Sequence, residues 1–505
     1  MQVTLISPYP SLEAFGLRTL SACLKAEGCR VQMVFLPQPF NRRYEPGLLR
    51  EVAELSRESA YVGLSLMTNF FDNAVQITQS LKQDRGLTVL WGGTHPTVRP
   101  EECLDYADVV CLGEGEETVV ELTRRLAQGR PYQDVDGLWF RTEAGIVGNP
   151  VRPLIQDLDA LPFPDYDYEG HYLAWGGRLR PMTPGLLQEQ LGGVYTTMAS
   201  RGCPFGCAYC FNNALNKMYP RQRVVRKRSV ENLIAELRLA KERLPFLERI
   251  KLDDDAFFLV FSLDEIREFS QEYRRLIGLP LAITGISPST LTREKLSFLV
   301  EAGLSFARLG IQTGSERTRK LYNRQQSNEG ILEAARIIHE FADRTQPPQY
   351  DIILDNPWES EADLVETLRF LAGLPVPYRL CTFSLDFYPG TELYEKARQE
   401  GLVKDDLEQV YRHDYLSCRP TYLNRLFFLL DEYAAQGRAI PERRMALLTS
   451  PILRKLGLSR LLYRAARLWI SHRAVRLRYM LREGARDLRR GDWRRIRRYL
   501  GRGRA

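Results

Sequence analysis

The segment Arg201-Gly-Cys203-Pro-Phe-Gly-Cys207-Ala-Tyr-Cys210-Phe gathers three thiols in one short loop, separated by three residues and then by two. Thiolates are soft ligands that select zinc, copper or iron–sulfur centres. Four cysteines would close a metal site entirely, whereas three leave a metal position to an external ligand, and open positions are where metal chemistry occurs. Gly202 and Gly206 give the backbone the freedom that wrapping a cluster requires. Spacing alone leaves two alternatives: a zinc site completed by a remote His or Cys, or three unrelated core cysteines. None of the five histidines lies within about thirty residues of the loop, which favours an iron–sulfur cluster over zinc.

Other chemistry-bearing residues follow downstream. Lys251-Leu-Asp253-Asp254-Asp255 sets three carboxylates in a row, either facing a ligand or capping a helix whose N–H groups favour anions. Arg308-Leu-Gly-Ile-Gln312-Thr-Gly-Ser315-Glu316 and Leu354-Asp-Asn-Pro-Trp358-Glu359 are strand-end loops, and Trp358 is a candidate substrate-facing ring. Phe387-Tyr-Pro-Gly-Thr-Glu-Leu-Tyr394 reads as a turn followed by a helix cap. Acid–base constellations are few.

The elements that must position these groups are of one kind. Val3–Ser7, Val31–Leu36, Tyr61–Leu66, Thr88–Trp91 and Ala107–Leu112 read as short apolar strands alternating with helices such as Leu17–Gly28. That pattern predicts a mostly parallel sheet covered on both faces, with ligands at the carboxyl ends of its strands. Those ends are Ser7-Pro-Tyr, Ser65-Leu-Met-Thr68, Gly92-Gly93-Thr-His95 and Gly113-Glu114-Gly115-Glu116, and their small residues suit a large flat ligand. Residues 131–193, with prolines at 150, 153, 162, 164, 181 and 184, read as an irregular linker. From Val194 about six more strand–helix units follow, at Val194–Met198, Arg249–Asp253, Leu281–Thr284, Phe306–Gly310, Tyr350–Leu354 and Leu380–Ser384. Six units make an open barrel, and the cysteine loop stands at the mouth of its first strand. Beyond Gly401 only helical signals remain. The expected fold is α/β: a Rossmann-like domain over 1–130, a linker over 131–193, a partial (β/α)6 barrel over 194–400, and a helical region with a basic tail over 401–505.

The 505 residues carry a net charge of +7, but Pro451 to Ala505 holds 18 Lys and Arg against 3 acidic residues, leaving the preceding 450 at −8. Nine cysteines with no signal segment argue for a reducing cytoplasm rather than a disulfide framework, and no apolar run is long enough to span a membrane. Leu453–Trp469 has amphipathic spacing, and Arg489–Arg498 is more polar still. This tail fits the anionic inner face of a membrane, RNA, or a solvated face packed on the barrel.

The cysteine motif, with an aromatic residue before its last cysteine, resembles the signature of the radical S-adenosylmethionine (radical SAM) family. The resemblance implies that Cys203, Cys207 and Cys210 bind a 4Fe–4S cluster whose fourth iron is chelated by S-adenosylmethionine, and that one-electron cleavage yields a radical that removes a substrate hydrogen. It places Tyr209, Asp253, Gln312 and Ser315 near S-adenosylmethionine, and Asp254 and Asp255 towards cofactor or substrate. Relatives commonly have Gly-x-Pro-Gly-Glu where this chain has Asp-Asn-Pro-Trp358-Glu, which implies a bulkier pocket. The N-terminal region resembles the cobalamin-binding domain of a large radical SAM subfamily, through Gly16–Gly28, Trp91–Thr97 and Gly113–Glu117. By that resemblance Ser65, Thr68, Gly92, Gly93, His95, Gly113, Glu114 and Gly115 line the cobalamin site. Pro8-Tyr-Pro-Ser-Leu-Glu stands where some relatives carry Asp-x-His-x-x-Gly, so no histidine ligand to cobalt is expected from the first loop. The implied activity is methyl transfer to an unactivated carbon of a small or lipid-like metabolite, with cyclisation, ring rearrangement or oxidation as the alternative. The implied partner is a one-electron reductase such as flavodoxin or ferredoxin. A nucleic-acid substrate is not implied.

Overall fold

The computed structural model describes residues 1–40 and 42–455. The chain folds as two compact units: of the described residues, those in 1–308, 320–325 and 386–415 form one, and 309–319, 326–385 and 416–455 form the other.

The first unit is built on a sheet whose centre is five parallel strands, β1 (Gln2–Ser7), β2 (Arg30–Phe35), β3 (Val62–Ser65), β4 (Val89–Gly92) and β5 (Val109–Cys111), ordered β5-β4-β3-β1-β2. Val3, Leu5, Ile6, Val62 and Leu64 are buried, as strands covered on both faces require. The strands begin and end within two residues of their sequence-expected positions. The chain lays β2 on one side of β1 and β3 on the other. That reversal opens a crevice at the carboxyl ends of β1 and β3, where open α/β sheets bind their ligands.

Residues 131–193 are more regular than their prolines suggest. β6 (Leu138–Thr142) and β7 (Gly145–Gly148) form an antiparallel hairpin beside β5, while β8 (His171–Trp175) runs parallel to β2 and carries β9 (Arg178–Pro181) as the far edge. Pro181 falls on an edge strand, where a missing N–H is tolerated. Four other prolines (150, 153, 162 and 164) fall between β7 and β8. A buried cluster pins this stretch to the helix Phe15–Ala26: Asp165 accepts from Ser21 Oγ at 2.5 Å and His171 Nε2 at 3.1 Å, and pairs with Lys25 Nζ at 2.8 Å.

A second sheet begins with β10 (Val194–Thr197). A small antiparallel ladder, β11 (Ser200–Arg201) with β12 (Arg226–Lys227), follows it at once. The sheet continues through β13 (Arg249–Asp253), β14 (Leu281–Ile286), β15 (Leu304–Gln312), β16 (Gln349–Leu354) and β17 (Arg379–Ser384), in the order β10-β13-β14-β15-β16-β17. Helices alternate with these strands, for example Val230–Arg243, whose cap Ser229 accepts from Asn232 N. This is the partial (β/α)6 arrangement.

In the second unit β16 and β17 pair in parallel, and Asp431 of the helix Tyr422–Ala435 holds Arg379 at 2.9 Å and accepts the Leu380 N–H at 2.7 Å. No helix among the described residues is long and apolar enough to cross a membrane. From residue 456 on, the amphipathic stretch read over Leu453–Trp469 lies outside the described residues, as does Arg489–Arg498.

Candidate active site

The cysteine loop runs from the end of β11 to the helix Phe211–Met218, which Cys210 caps. Hydrogen bonds hold its backbone from several sides. The Ala208 N–H donates to Tyr322 O at 3.0 Å, Asn323 Nδ2 to Gly206 O at 2.7 Å, and Asn216 Nδ2 to Cys203 O at 2.8 Å. Gly202 has φ +82°, and a Cβ there would lie 2.2 Å from the Val224 carbonyl oxygen, so only glycine allows the loop to leave the ladder this tightly. Burial pushes the Cys203 thiol up to about 11 and Cys210 to about 12, and each is raised further by the charge of its neighbouring thiols. Arg324 Nη1 lies 3.6 Å from Cys207 Sγ and donates to Tyr209 Oη at 2.9 Å, bringing a cation to the loop. Among the described residues no three His, Cys, Asp or Glu side chains close on a single ion, these thiols included. An iron–sulfur cluster, whose corners are separate irons, asks instead for a loop of neighbouring thiolates beside positive charge.

The three aspartates after β13 have three different roles. Asp253 pairs with Lys251 Nζ at 3.0 Å and accepts from the Thr284 hydroxyl. Asp254 is buried and fully employed, accepting from Ala199 N at 3.0 Å and from Ser200 N and Oγ at 2.6 Å each. Burial holds its carboxyl up at about 6 despite those donors. It braces the entry to the cysteine loop, with both of its oxygens bound to the backbone there. Asp255 is exposed, accepts from Asn212 Nδ2 at 3.0 Å, and its charge reaches Cys203 and Cys210.

A cavity of about 350 Å³ opens at the carboxyl ends of β3, β4 and β5. Ser65, Gly92, Gly93, Gly113, Glu114 and Gly115 line it. Leu17, Leu20 and Val119 supply an apolar wall, and Arg201 and Gly202 close it from the cysteine side. Glu114 accepts from Arg226 Nη1 at 2.8 Å and Arg201 Nη1 at 3.1 Å, while Arg201 Nη2 reaches Glu116 at 2.7 Å. These pairs tie the strand-end loop after β5 to the residue two before Cys203.

Thr68 and His95 do not line this cavity. His95 lies in the short helix Thr94–Val98, is fully buried, and has Nδ1 3.2 Å from Thr68 Oγ1 between the rings of Phe71 and Tyr411. Burial lowers its pKa to about 3, so it stays neutral.

In the second unit, Gln312 ends β15 at φ +65°, and its Oε1 is buried with no hydrogen-bond partner. Ser315 is buried and donates to Asp363 Oδ1 at 2.8 Å, with Arg317 Nε 3.1 Å from the same carboxylate. Its hydroxyl serves as a brace. Trp358 sits half-buried in the turn after β16, its N–H donating to Asn356 Oδ1 at 3.0 Å and its carbonyl accepting from Arg317 Nη2 at 2.6 Å. Arg201, Arg226 and Arg324 were not singled out in the sequence. Their one local signal is that Arg201 borders the cysteine motif, and their partners lie far away in the chain.

Residues 198–371 match the Radical SAM superfamily and residues 1–123 match the B12 binding domain. An uncharacterized methyltransferase of Pyrococcus horikoshii is 28% identical over 350 residues, covering 68% of this chain and 70% of its own. The anaerobic magnesium-protoporphyrin IX monomethyl ester cyclase of Cereibacter sphaeroides is 26% identical over 335 residues, 62% of this chain and 49% of that protein. Among solved structures, the radical S-adenosylmethionine methyltransferase TsrM from Kitasatospora setae, with tryptophan and a S-adenosylmethionine analogue bound, superposes with a TM-score of 0.62 at 18% identity, over 79% of this chain and 76% of that one. At that identity the likeness is one of fold.

Proposed function

Because the chain belongs to the radical SAM proteins that carry a B12-binding domain, we propose that it is a C-methyltransferase acting on an unactivated carbon of a small or lipid-like metabolite. Cys203, Cys207 and Cys210 hold the 4Fe–4S cluster in this reading, and their donor set suits it: three soft sulfur ligands in one short loop with Arg324 alongside. The cavity at the switch point suits part of cobalamin. Its volume of about 350 Å³ falls in the range of small-molecule pockets, and glycines let a flat group approach the backbone. Ser65, Gly92, Gly93, Gly113, Glu114 and Gly115 would hold that cofactor. Tyr209 and Asp253 are the polar candidates for S-adenosylmethionine in the first unit.

When bound, the cluster and S-adenosylmethionine supply the radical that removes a substrate hydrogen, and cobalamin supplies the methyl group. The chain's own task is placement and exclusion of water. One observation carries the reading: Gly93, Gly113, Glu114, Arg201 and Gly202 line both this cavity and a second one beside the helix that follows Cys210. The wall of the cobalamin domain is thus also a wall of the cysteine-loop region, and the Arg201 pairs with Glu114 and Glu116 hold it in place. Asp254 steadies the same loop from the barrel side. No general base is needed for a carbon–hydrogen bond broken by a radical, in keeping with the structural roles of Asp254 and His95. A one-electron donor such as flavodoxin or ferredoxin completes the system.

The similarity to the cyclase favours a second reading, ring chemistry with the same cofactors and no methyl transfer. Turnover with methyl-labelled S-adenosylmethionine separates the two. Methyl transfer places label in the isolated product, whereas an unlabelled, altered product supports the ring reading.

A further inference from the structure

The second cavity, about 220 Å³, is closed on one side by the strand-end loops of the cobalamin domain and on another by the helix Phe211–Met218. Its charged groups are already satisfied. Arg201 and Arg226 both bind Glu114, so neither offers a spare charge to an anion. Its amides and hydroxyls are largely committed too: Asn216 donates to Cys203 O, Asn212 to Asp255, and Thr97 to Gly93 O.

Tyr219 is the exception. It lines this cavity, is 3% exposed, and its hydroxyl proton finds no acceptor. The hydroxyl stands directly over Gly113, where a Cβ would come within 2.1 Å of its oxygen. A buried phenol with nothing to donate to costs stability unless a ligand supplies the acceptor. The acceptor must be neutral, because the surrounding charges cancel in pairs and an added anion would face Glu114. Gly93, Gly113, Glu114, Arg201 and Gly202 line this cavity and the larger one alike, so the two lie side by side.

We infer that Tyr219 donates its hydroxyl proton to the carbonyl of a carboxamide arm on the rim of cobalamin, at the contact between the cobalamin domain and the cysteine-loop segment. This rests on the cobalamin reading above. The hydroxyl is a positioning contact, fixing how the corrin rim is turned relative to the cysteine loop. Gly113 then serves as the space beneath that hydroxyl.

The test is equilibrium binding of hydroxocobalamin to the full chain, followed by visible absorption, with wild type and Tyr219→Phe compared. Cobinamide, which keeps the carboxamide rim but lacks the lower nucleotide, is the second probe. Loss of one hydrogen bond should weaken both probes about three- to tenfold in Tyr219→Phe, while the unliganded variant melts no lower than the unliganded wild type, because it loses a buried hydroxyl that had no partner. Equal affinity of Tyr219→Phe and wild type for both probes overturns the inference while leaving cobalamin binding intact. Weakening of hydroxocobalamin alone also overturns it, because the hydroxyl would then read the nucleotide and not the rim. Failure of wild type to bind either probe overturns the cobalamin reading itself.

Discussion

Gly202→Ala probes how tightly the cysteine loop is built. Gly202 has φ +82°, and its Cβ position lies 2.2 Å from the Val224 carbonyl oxygen, a backbone atom that cannot rotate away. The left-handed conformation alone costs an alanine about 1–2 kcal/mol. Forcing a methyl group against fixed backbone adds about 1–3 kcal/mol, for a total of about 2–5 kcal/mol. Gly129→Ala is the matched control, because Gly129 has φ +63° and nothing within 4 Å of its Cβ position. It should pay only the conformational part, about 1–2 kcal/mol. Urea unfolding gives the stabilities, and iron and acid-labile sulfide per chain after anaerobic reconstitution give the state of the loop. Gly129→Ala should keep wild-type iron, while Gly202→Ala should be less stable than the control and hold less iron than wild type. If Gly202→Ala costs no more than Gly129→Ala and keeps full iron, the tight seating of the loop on the ladder is refuted.

Further outcomes follow from the buried carboxylates and the thiols. Asp254, with a native pKa near 6, is protonated more readily in the folded chain than in the unfolded one, so its contribution to stability falls as pH rises from about 4 to about 6 and is level above. Asp254→Asn should remove that slope in a pH series of melting curves and cost about 1–3 kcal/mol, since an amide nitrogen would face a backbone donor; an unchanged slope would contradict the assignment. Asp165 is held low by His171, Lys25 and Ser21 against the effect of burial, so its contribution is present above about pH 4 and lost as the solution is taken lower. Asp165→Asn should cost about 2–3 kcal/mol at neutral pH, below a fully buried pair because Lys25 is 30% exposed, and a loss under about 0.5 kcal/mol would show that the cluster does not pin the connection. Replacing Cys203, Cys207 or Cys210 by Ala should each abolish 5′-deoxyadenosine formation, and persistence in any one variant removes that cysteine from the ligand set.

Much of this was legible locally. The strands β1 to β5 announce themselves as short β-branched runs, and the cysteine spacing needs no tertiary information. The glycine-bearing strand ends that line the larger cavity follow from the rule that ligands sit at carboxyl ends. What stayed hidden depends on distant partners. From sequence Asp254 could face a ligand or cap a helix, and only Ala199 and Ser200, some fifty residues earlier, show what its oxygens hold. His95 sits in a ligand-like loop sequence, yet Phe71 and Tyr411 bury it. Ser315 is spent on Asp363, in a helix still to come. The strands within 131–193 were masked by averaging prolines that cluster between β7 and β8 with the hairpins on either side. Tyr219 carries no motif at all, and only its burial beside Gly113 singles it out.

The central claim is that one chain holds an iron–sulfur cluster at Cys203, Cys207 and Cys210 together with cobalamin in the domain before it. Anaerobic purification of wild type and a Cys203/Cys207/Cys210→Ala triple variant, with iron, sulfide and cobalamin counted per chain, tests it most directly. The account predicts about four irons and about one cobalamin in wild type, with iron lost and cobalamin kept in the variant. Wild-type protein without iron, or a variant that retains it, would contradict the account.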